Sequence, residues 1–285
     1  MTPAFDRFAV ADWSGAKGQR HPGIALAECE AGTAAPRLVS PPERHWSRAA
    51  VGDWVLAEAS AGRPTLIGFD FSFAPPSRAA GPLPGTDAPS DPHAFWAWVD
   101  ARTAGEPDGG AATWMEGPGR RHFYFGAADG PKADYMVWRA CEHRLRERGG
   151  HKPSTVFDAI GAAQVAKASF AGMRLLHRLS SAGVPVWPFD PVPAAGPLVV
   201  EIYSSIAATC AGRPKGRAKL RSAADLAAAL AALGSAGAAG EVDEHQADAL
   251  LTAAWLRIAS VEPALWRAPD TDPRWAREGW TFGVA

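Results

Sequence analysis

The sequence contains few cysteines, no long apolar run and no excess of either charge. Its three cysteines, Cys29, Cys141 and Cys210, are far apart and form no CxxC pair, which argues against a disulfide framework or a cysteine zinc site. No segment approaches the roughly 20 apolar residues that cross a bilayer, and the N-terminus lacks the apolar core of a signal peptide. We therefore expect a soluble, cytoplasmic protein that binds no membrane.

The charge balance and the missing motifs argue against further classes of protein. A net charge of −1 gives no global basic field of the kind expected for a DNA-coating protein, although it is compatible with an enzyme that has a local groove. The motifs GxxxxGK[ST], GxGxxG and GxSxG do not occur, which disfavours P-loop, Rossmann and α/β-hydrolase folds. The length of 285 residues and the hydrophobic fraction of 47% predict one large domain with a packed core.

The order of the apolar runs predicts an α/β fold. The first elements are expected to be strands at 5–12, 22–29, 37–45 and 65–71, with a helix at 46–60 before the last of them. Later strands are expected at 184–187 and 198–203, and later helices at 133–148, 162–182, 222–233 and 243–260, with a further helix start at Asp91-Pro92-His93. Residues 75–180, which include stretches dense in Pro and Gly, are interpreted as a helical and loop insertion into a single domain, 1–285.

Four acidic residues stand where secondary structure is expected to change: Asp12, Asp70, Glu201 and Asp248. The first three end apolar strands, and Asp248 lies near the start of the last long helix. Carboxylates at the carboxyl ends of several strands, faced by one on a helix, suit a divalent metal site, since Mg²⁺ prefers hard oxygen ligands. The pattern therefore predicts a divalent metal site at these carboxylates.

Three of these carboxylates also have ordinary structural explanations. Asp12 is equally compatible with a turn aspartate that caps its own loop, Glu201 with an edge-strand side chain in water, and Asp248 with a solvated helix flank. Asp70 differs because its neighbours over 67–73 are apolar or small, and an unpaired charge in such a setting is costly.

Other side chains are candidates for proton transfer or substrate contact. His245, three residues before Asp248, is interpreted as an acid/base group or as a surface residue of its helix. The candidate substrate contacts are Ser14, Arg139, Glu142, Lys215 and Arg217. Arg139 and Glu142, three apart on a predicted helix, are also compatible with an intrahelical ion pair. The basic segment 213–221 is compatible with phosphate contacts or with a solvated connection.

At these residues the chain resembles the ribonuclease H-like superfamily, and within it the domain-of-unknown-function family 429 of predicted nucleases. Short motifs carry the resemblance: Ala11-Asp12-Trp13-Ser14, Gly68-Phe69-Asp70-Phe71, Trp138-Arg139-Ala140-Cys141-Glu142, Val186-Trp187-Pro188-Phe189 and Val200-Glu201-Ile202-Tyr203-Ser204-Ser205. The late segment His245-Gln246-Ala247-Asp248-Ala249-Leu250 also resembles the last acidic helix of Holliday-junction resolvases.

The resemblance implies a mixed five-stranded sheet flanked by helices and a phosphodiester-cleaving centre with two metal ions. Asp12 matches the first-strand acid, Asp70 the fourth-strand acid and Asp248 the last-helix acid, while Glu201 matches an additional acid of the family. The resemblance thus implies that Asp12, Asp70 and Asp248 bind Mg²⁺ or Mn²⁺, and that Glu201 or His245 assists ligation or proton transfer. The implied partner is a nucleic acid or a small phosphodiester. The sequence does not distinguish DNA from RNA, and it does not indicate an oligomeric state.

Two alternative functions are compatible with the same residues. Sugar kinases and actin-like ATPases share this core topology, and Asp12-Trp13-Ser14-Gly15 suits their first turn, although no second Gly-rich phosphate element is present. A non-catalytic adaptor that retains an acidic pocket is also compatible, with the insertion as its interaction surface.

Overall fold

A computed structural model describes residues 3–147, 152–160, 165–213, 220, 222–238, 240–267 and 272–285. In these residues the chain forms an α/β fold with a six-stranded mixed sheet flanked by helices. The strands are β1 (Arg7–Asp12), β2 (Ala25–Glu30), β3 (Arg37–Leu38), β4 (Thr65–Phe69), β5 (Val186–Trp187) and β6 (Leu198–Glu201). The helices are α1 (Arg48–Ser60), α2 (Pro92–Arg102), α3 (Ala112–Glu116), α4 (Ala140–Glu147), α5 (Val165–Ser181), α6 (Ser204–Cys210), α7 (Ala223–Ala232), α8 (Glu244–Ala259) and α9 (Trp275–Glu278).

The strand order across the sheet is β3-β2-β1-β4-β6-β5. The first three strands form an antiparallel meander, and β4, β6 and β5 extend the sheet in parallel with β1. Ala11 of β1 is in register with Phe69 of β4, and Phe69 is in register with Glu201 of β6. Because parallel strands end at the same edge, this register brings the residues that end β1, β4 and β6 to one side of the sheet.

Helices cover both faces of the sheet, and alternate residues of β1 contact opposite layers. Phe8 and Val10 belong to the cluster that contains α8, which packs across β1 and β2. Ala9 and Ala11 belong to the other cluster, which contains buried residues of α1 and α5. This alternation with period 2 explains why β1 is apolar on both faces.

The predicted elements agree with the structure at most positions, but α3, α6 and α9 are not predicted and several strands are shorter than expected. The predicted start of α5 at residue 162 lies outside the described residues. Three further differences stand out. The sheet has one strand more than the resemblance implies, because the predicted strand at 184–187 pairs beside β6 as β5. The strand predicted at 37–45 is only two residues long, since Pro41-Pro42 cannot donate ladder hydrogen bonds. The helix predicted at 133–148 starts at Ala140, and its predicted end at Arg148 lies outside the described residues.

The late start of α4 has a tertiary cause. The backbone N–H of Arg139 donates to the Glu142 carboxylate at 2.9 Å, and that of Ala140 donates to Glu278 at 2.7 Å. Two carboxylates therefore satisfy free N–H groups at the helix start, as capping residues do. Glu278 is more than a hundred residues away in sequence, so local pattern could not predict this boundary.

In the part of the chain that the structure describes, no helix is both long enough and apolar enough to cross a membrane.

Candidate functional site

Asp12 and His245 meet at the edge of the sheet. Asp12 is the last residue of β1, and its Oδ2 lies 2.6 Å from Nδ1 of His245 in the first turn of α8. The helix start is defined by a capping box, in which the Asp243 side chain accepts from the N–H of Gln246 while the Gln246 side chain accepts from the N–H of Asp243. The capping box therefore fixes where α8 begins and how the imidazole reaches the strand end.

Asp70 lies beside Asp12, directly after β4. Its backbone N–H donates to the carbonyl of Ala11 at 3.3 Å, which joins the two strand ends. The N–H of Ser204, at the start of α6, lies 3.4 Å from Oδ2 of Asp70. Burial is the main cause that raises the pKa of Asp70 to about 7, and the charges of Asp12 and Asp248 add to it, against the hydrogen bonds from Ser204.

Asp248 faces the same region from α8. It lies three residues after His245, on the same side of the helix, and is partly buried. Its negative charge contributes to the raised pKa of Asp70. The structure thus brings together the three carboxylates that the sequence predicts as metal ligands. Within the described ranges, however, no three His, Cys, Asp or Glu side chains are grouped closely enough to hold an ion as they stand.

The protonation of Asp12 and His245 is coupled. Burial raises the pKa of Asp12, and the contact with His245 opposes this shift. The hydrogen bond to Asp12 raises the pKa of His245. Since the imidazole side chain is 50% exposed, it can exchange a proton with water or with a bound molecule. The pair is therefore suited to proton transfer at the rim of the site.

Ser14 also lies at this site, on the far side of the imidazole. A Cβ atom on Gly23 would lie 3.5 Å from Nε2 of His245 and 3.7 Å from Oγ of Ser14. Gly23 therefore leaves space between the two polar groups, and Nε2 of His245 points toward that space. Sequence reasoning identified Ser14 but missed Gly23 and Ser204. Ser204 had a signal, because it directly follows the strand predicted at 198–203 and lies in one of the motifs that carry the resemblance.

The connection after β1 is held firmly by other elements. The guanidinium of Arg48 donates to the carbonyls of Ser14 at 2.9 Å and Ala16 at 2.6 Å. Gly15 lies against α5, where an added Cβ would be only 2.2 Å from the backbone nitrogen of Ala168. Glycine is needed here because the two backbones approach so closely. These contacts fix the segment that carries Ser14.

The structure places Glu201, Arg139 and Glu142 in the protein interior instead of in an open site. The Arg139 guanidinium donates to both oxygens of Glu201, at 2.7 and 2.5 Å, and to Glu142 at 2.9 Å. Glu201 also accepts hydrogen bonds from the N–H of Phe73 at 2.8 Å and from the hydroxyl of Thr281 at 2.6 Å. Arg139 and Glu142 form the predicted ion pair, although Arg139 lies just before α4 and the pair is not within the helix. These contacts do not support the predicted substrate-binding role.

The burial of this network excludes one of the two alternatives for Glu201. Its side chain is 3% exposed, as β6 lies between β4 and β5, so it is not an edge-strand residue in water. All of its described partners are structural groups, and these contacts do not support a catalytic role. Two other predicted contacts, Lys215 and Arg217, lie outside the described residues.

Comparison of the chain with protein-family models, with curated proteins and with solved structures finds no match. The resemblance to family 429 therefore rests on short motifs, and membership of that family stays a prediction.

Proposed function

We propose that the protein is a divalent-metal-dependent nuclease or phosphodiesterase with a ribonuclease H-like fold. The main support is the placement of Asp12, Asp70 and Asp248 at one edge of the sheet, where the negative charges of Asp12 and Asp248 both contribute to the raised pKa of Asp70. The strand order supports the fold, because an antiparallel meander continues into parallel strands and a late helix packs across β1 and β2. In this proposal β5 and the segment before it are additions to the minimal fold.

The donor set fits Mg²⁺ or Mn²⁺. Carboxylate oxygens are the ligands these ions prefer, and a cation would relieve the repulsion and desolvation that raise the pKa of Asp70. Asp12, Asp70 and Asp248 would hold the ions. When bound, such ions lower the pKa of a bound water and stabilise charge on the attacking and leaving oxygens of a phosphodiester. Among the described residues, the three carboxylates are not close enough to hold an ion as they stand, so ion binding would require them to move closer together.

The other residues of the site have separate roles in this proposal. His245 transfers a proton at Nε2, the ring nitrogen that faces the space beside Ser14. Its raised pKa keeps a larger protonated fraction near neutral pH, which suits a group that protonates a leaving oxygen. Ser204 orients the Asp70 carboxylate through its N–H group. Ser14 offers a hydroxyl to a substrate phosphate.

A cleavage assay with Mn²⁺ or Mg²⁺ tests the proposal. The substrates are single-stranded, duplex, hybrid and branched nucleic acids and a small chromogenic phosphodiester. We expect metal-dependent cleavage of at least one substrate, reduced at least a hundredfold by Asp12→Asn, Asp70→Asn or Asp248→Asn.

The matched control for these variants is Asp6→Asn. Asp6 is an exposed aspartate just before the opposite end of β1, so its substitution should leave cleavage unchanged. If no substrate is cleaved, or if the three site variants cleave as well as the control, the proposed function is wrong.

A further inference from the structure

A basic groove lies in the segment between β4 and β5, lined by residues outside the carboxylate site. It consists of two cavities, of about 250 Å³ and about 410 Å³, that share Arg121 and His122 in their walls. Arg78 and Tyr135 also line the first cavity, and Trp114 lines the second. We call the two cavities together the Arg121 groove.

Arg78 has unused hydrogen-bonding capacity in this groove. Its guanidinium stacks over the Phe157 ring at 4.4 Å and donates to the carbonyl of Pro82 at 3.2 Å. Its Nε is buried and has no hydrogen-bond partner among the described residues. A buried donor without a partner is unfavourable, and a turn of the Arg78 side chain toward an acceptor in the cavity would remove this cost.

Arg121 extends the positive region, and His122 lies beside it. Arg121 donates to the Gly85 carbonyl at 2.9 Å and, through Nε, to Nε2 of His122 at 3.2 Å. Since Nε2 accepts this hydrogen bond, the imidazole is in its neutral form. Burial lowers the pKa of His122, and the charges of Arg121 and Arg78 lower it further. The three side chains therefore share one electropositive environment.

The acidic residues of the groove do not neutralise both arginines. Asp129 is already engaged, because its Oδ1 accepts from Arg120 at 2.8 Å and its Oδ2 from the N–H of Phe125 at 2.7 Å. Asp134 is exposed at the wall of the first cavity. The salt bridges formed by described residues in this region pair Arg102 with Asp87 and Arg120 with Asp129, and leave Arg78 and Arg121 without a carboxylate.

We propose that Arg78, Arg121 and His122 bind a phosphate group of a ligand that lies in the Arg121 groove. The two guanidinium groups supply positive charge and N–H donors, which match the several oxygens of a phosphate, and the neutral imidazole supplies a further donor through Nδ1–H. A phosphate would also accept from Nε of Arg78 once the side chain turns this atom toward the cavity. The adjoining cavity leaves room for the rest of the ligand. This site does not depend on the proposed nuclease activity.

Binding measurements in EDTA test the phosphate site without metal-dependent cleavage. Inorganic pyrophosphate is titrated by calorimetry, and a fluorescein-labelled single-stranded dT12 is titrated by anisotropy, with pyrophosphate as competitor. We expect at least one probe to bind, with affinity that falls as salt increases. Arg121→Gln and Arg78→Gln should each weaken binding at least tenfold. Arg121 is exposed, so its substitution should leave the melting temperature unchanged even if Arg78→Gln lowers it.

Arg44→Gln is the matched control, because Arg44 is an exposed arginine in the connection between β3 and α1, outside the groove. Tighter binding of dT12 than of pyrophosphate would identify the phosphate as part of a nucleic-acid strand, and the reverse order would identify a small phosphorylated compound. The proposal is wrong if neither probe binds, if Arg121→Gln binds like the wild type, or if Arg44→Gln loses as much affinity. Because no metal is present, a failed cleavage assay would leave this result unaffected.

Discussion

Nδ1 of His245 lies 2.6 Å from Oδ2 of Asp12, although the two residues are 233 positions apart in the chain. The contact joins the end of the central strand β1 to the first turn of α8, so the packing of α8 on the sheet determines the position of the imidazole. It also couples an acid at the centre of the proposed metal site to a proton-transfer group at its rim.

His245→Gln should lower the rate of metal-dependent cleavage by about a hundredfold, the lower end of the usual range for a general acid. The contact with Asp12 raises the pKa of His245, so the protonated form persists above the ordinary range of histidine. Wild-type activity should therefore fall on the alkaline side of the pH profile, and that fall should be absent in His245→Gln. His177→Gln, on α5, is the control. If the activity of His245→Gln falls at alkaline pH as that of the wild type does, His245 is not the general acid.

Asp70→Asn should stabilise the metal-free protein at pH 8 and have little effect near pH 4. The pKa of Asp70 is about 7 in the folded protein, against an ordinary value of 3.8. Between these values the folded state binds more protons than the unfolded state, so the stability of the wild type decreases as pH rises through this range. Asparagine does not titrate, so Asp70→Asn does not lose stability over this pH range. Thermal melts in EDTA at both pH values measure the difference. A variant that is less stable than wild type at pH 8 would indicate a structural aspartate instead.

Mn²⁺ should raise the stability of the wild type but not of Asp70→Asn. An ion that binds only the folded state stabilises it by about 2.7 kcal/mol at roughly 100 times its dissociation constant. The loss of one ligand carboxylate should abolish most of this gain. Melts at pH 8 with a series of Mn²⁺ concentrations provide the measurement, and Asp6→Asn, which should keep the full gain, provides the control. If Mn²⁺ does not raise the melting temperature of the wild type, the proposal of a metal site is wrong.

Glu201→Gln should destabilise the fold by about 3 kcal/mol, with or without metal. Breaking one partner of a buried ion pair typically costs about 3–5 kcal/mol, and we expect the lower end because Glu142 remains beside Arg139. Glu43→Gln is the matched control, since Glu43 pairs with Arg20 on the surface and should contribute less than about 1 kcal/mol. Denaturant titration compares the two. Full stability combined with lost cleavage would restore the catalytic role predicted for Glu201.

Gly15→Ala should destabilise the protein by about 1–3 kcal/mol, the usual cost of overpacking. The added Cβ would lie 2.2 Å from a backbone nitrogen of α5, so either the helix or the connection after β1 must shift. Cleavage should also decrease because Ser14 moves. Gly105→Ala is the control, as nothing lies within 4 Å of its added Cβ. Equal melting temperatures for the two variants would contradict the close contact seen at Gly15.

The sequence predicted the strands and the helix that carry the site more accurately than it predicted the neighbouring segments. The apolar runs that end in Asp12 and Asp70 are β1 and β4, and the helix expected at 243–260 is α8, with its cap at Asp243. These elements are defined by local patterning and capping, which sequence reasoning can recognise. The start of α4 was mispredicted because the carboxylate of a distant residue, Glu278, satisfies its N–H groups.

By itself, the sequence determined that several strands end in carboxylates, because apolar patterning and turn chemistry act over a few neighbouring residues. Only the tertiary structure decided what each carboxylate contacts. Asp70 and Glu201 end neighbouring parallel strands, yet Asp70 is affected by the charges of Asp12 and Asp248, whereas Glu201 binds Arg139 inside the protein. The physical reason is that side-chain direction follows strand register, and that the cation compensating Glu201 comes from a residue 62 positions away.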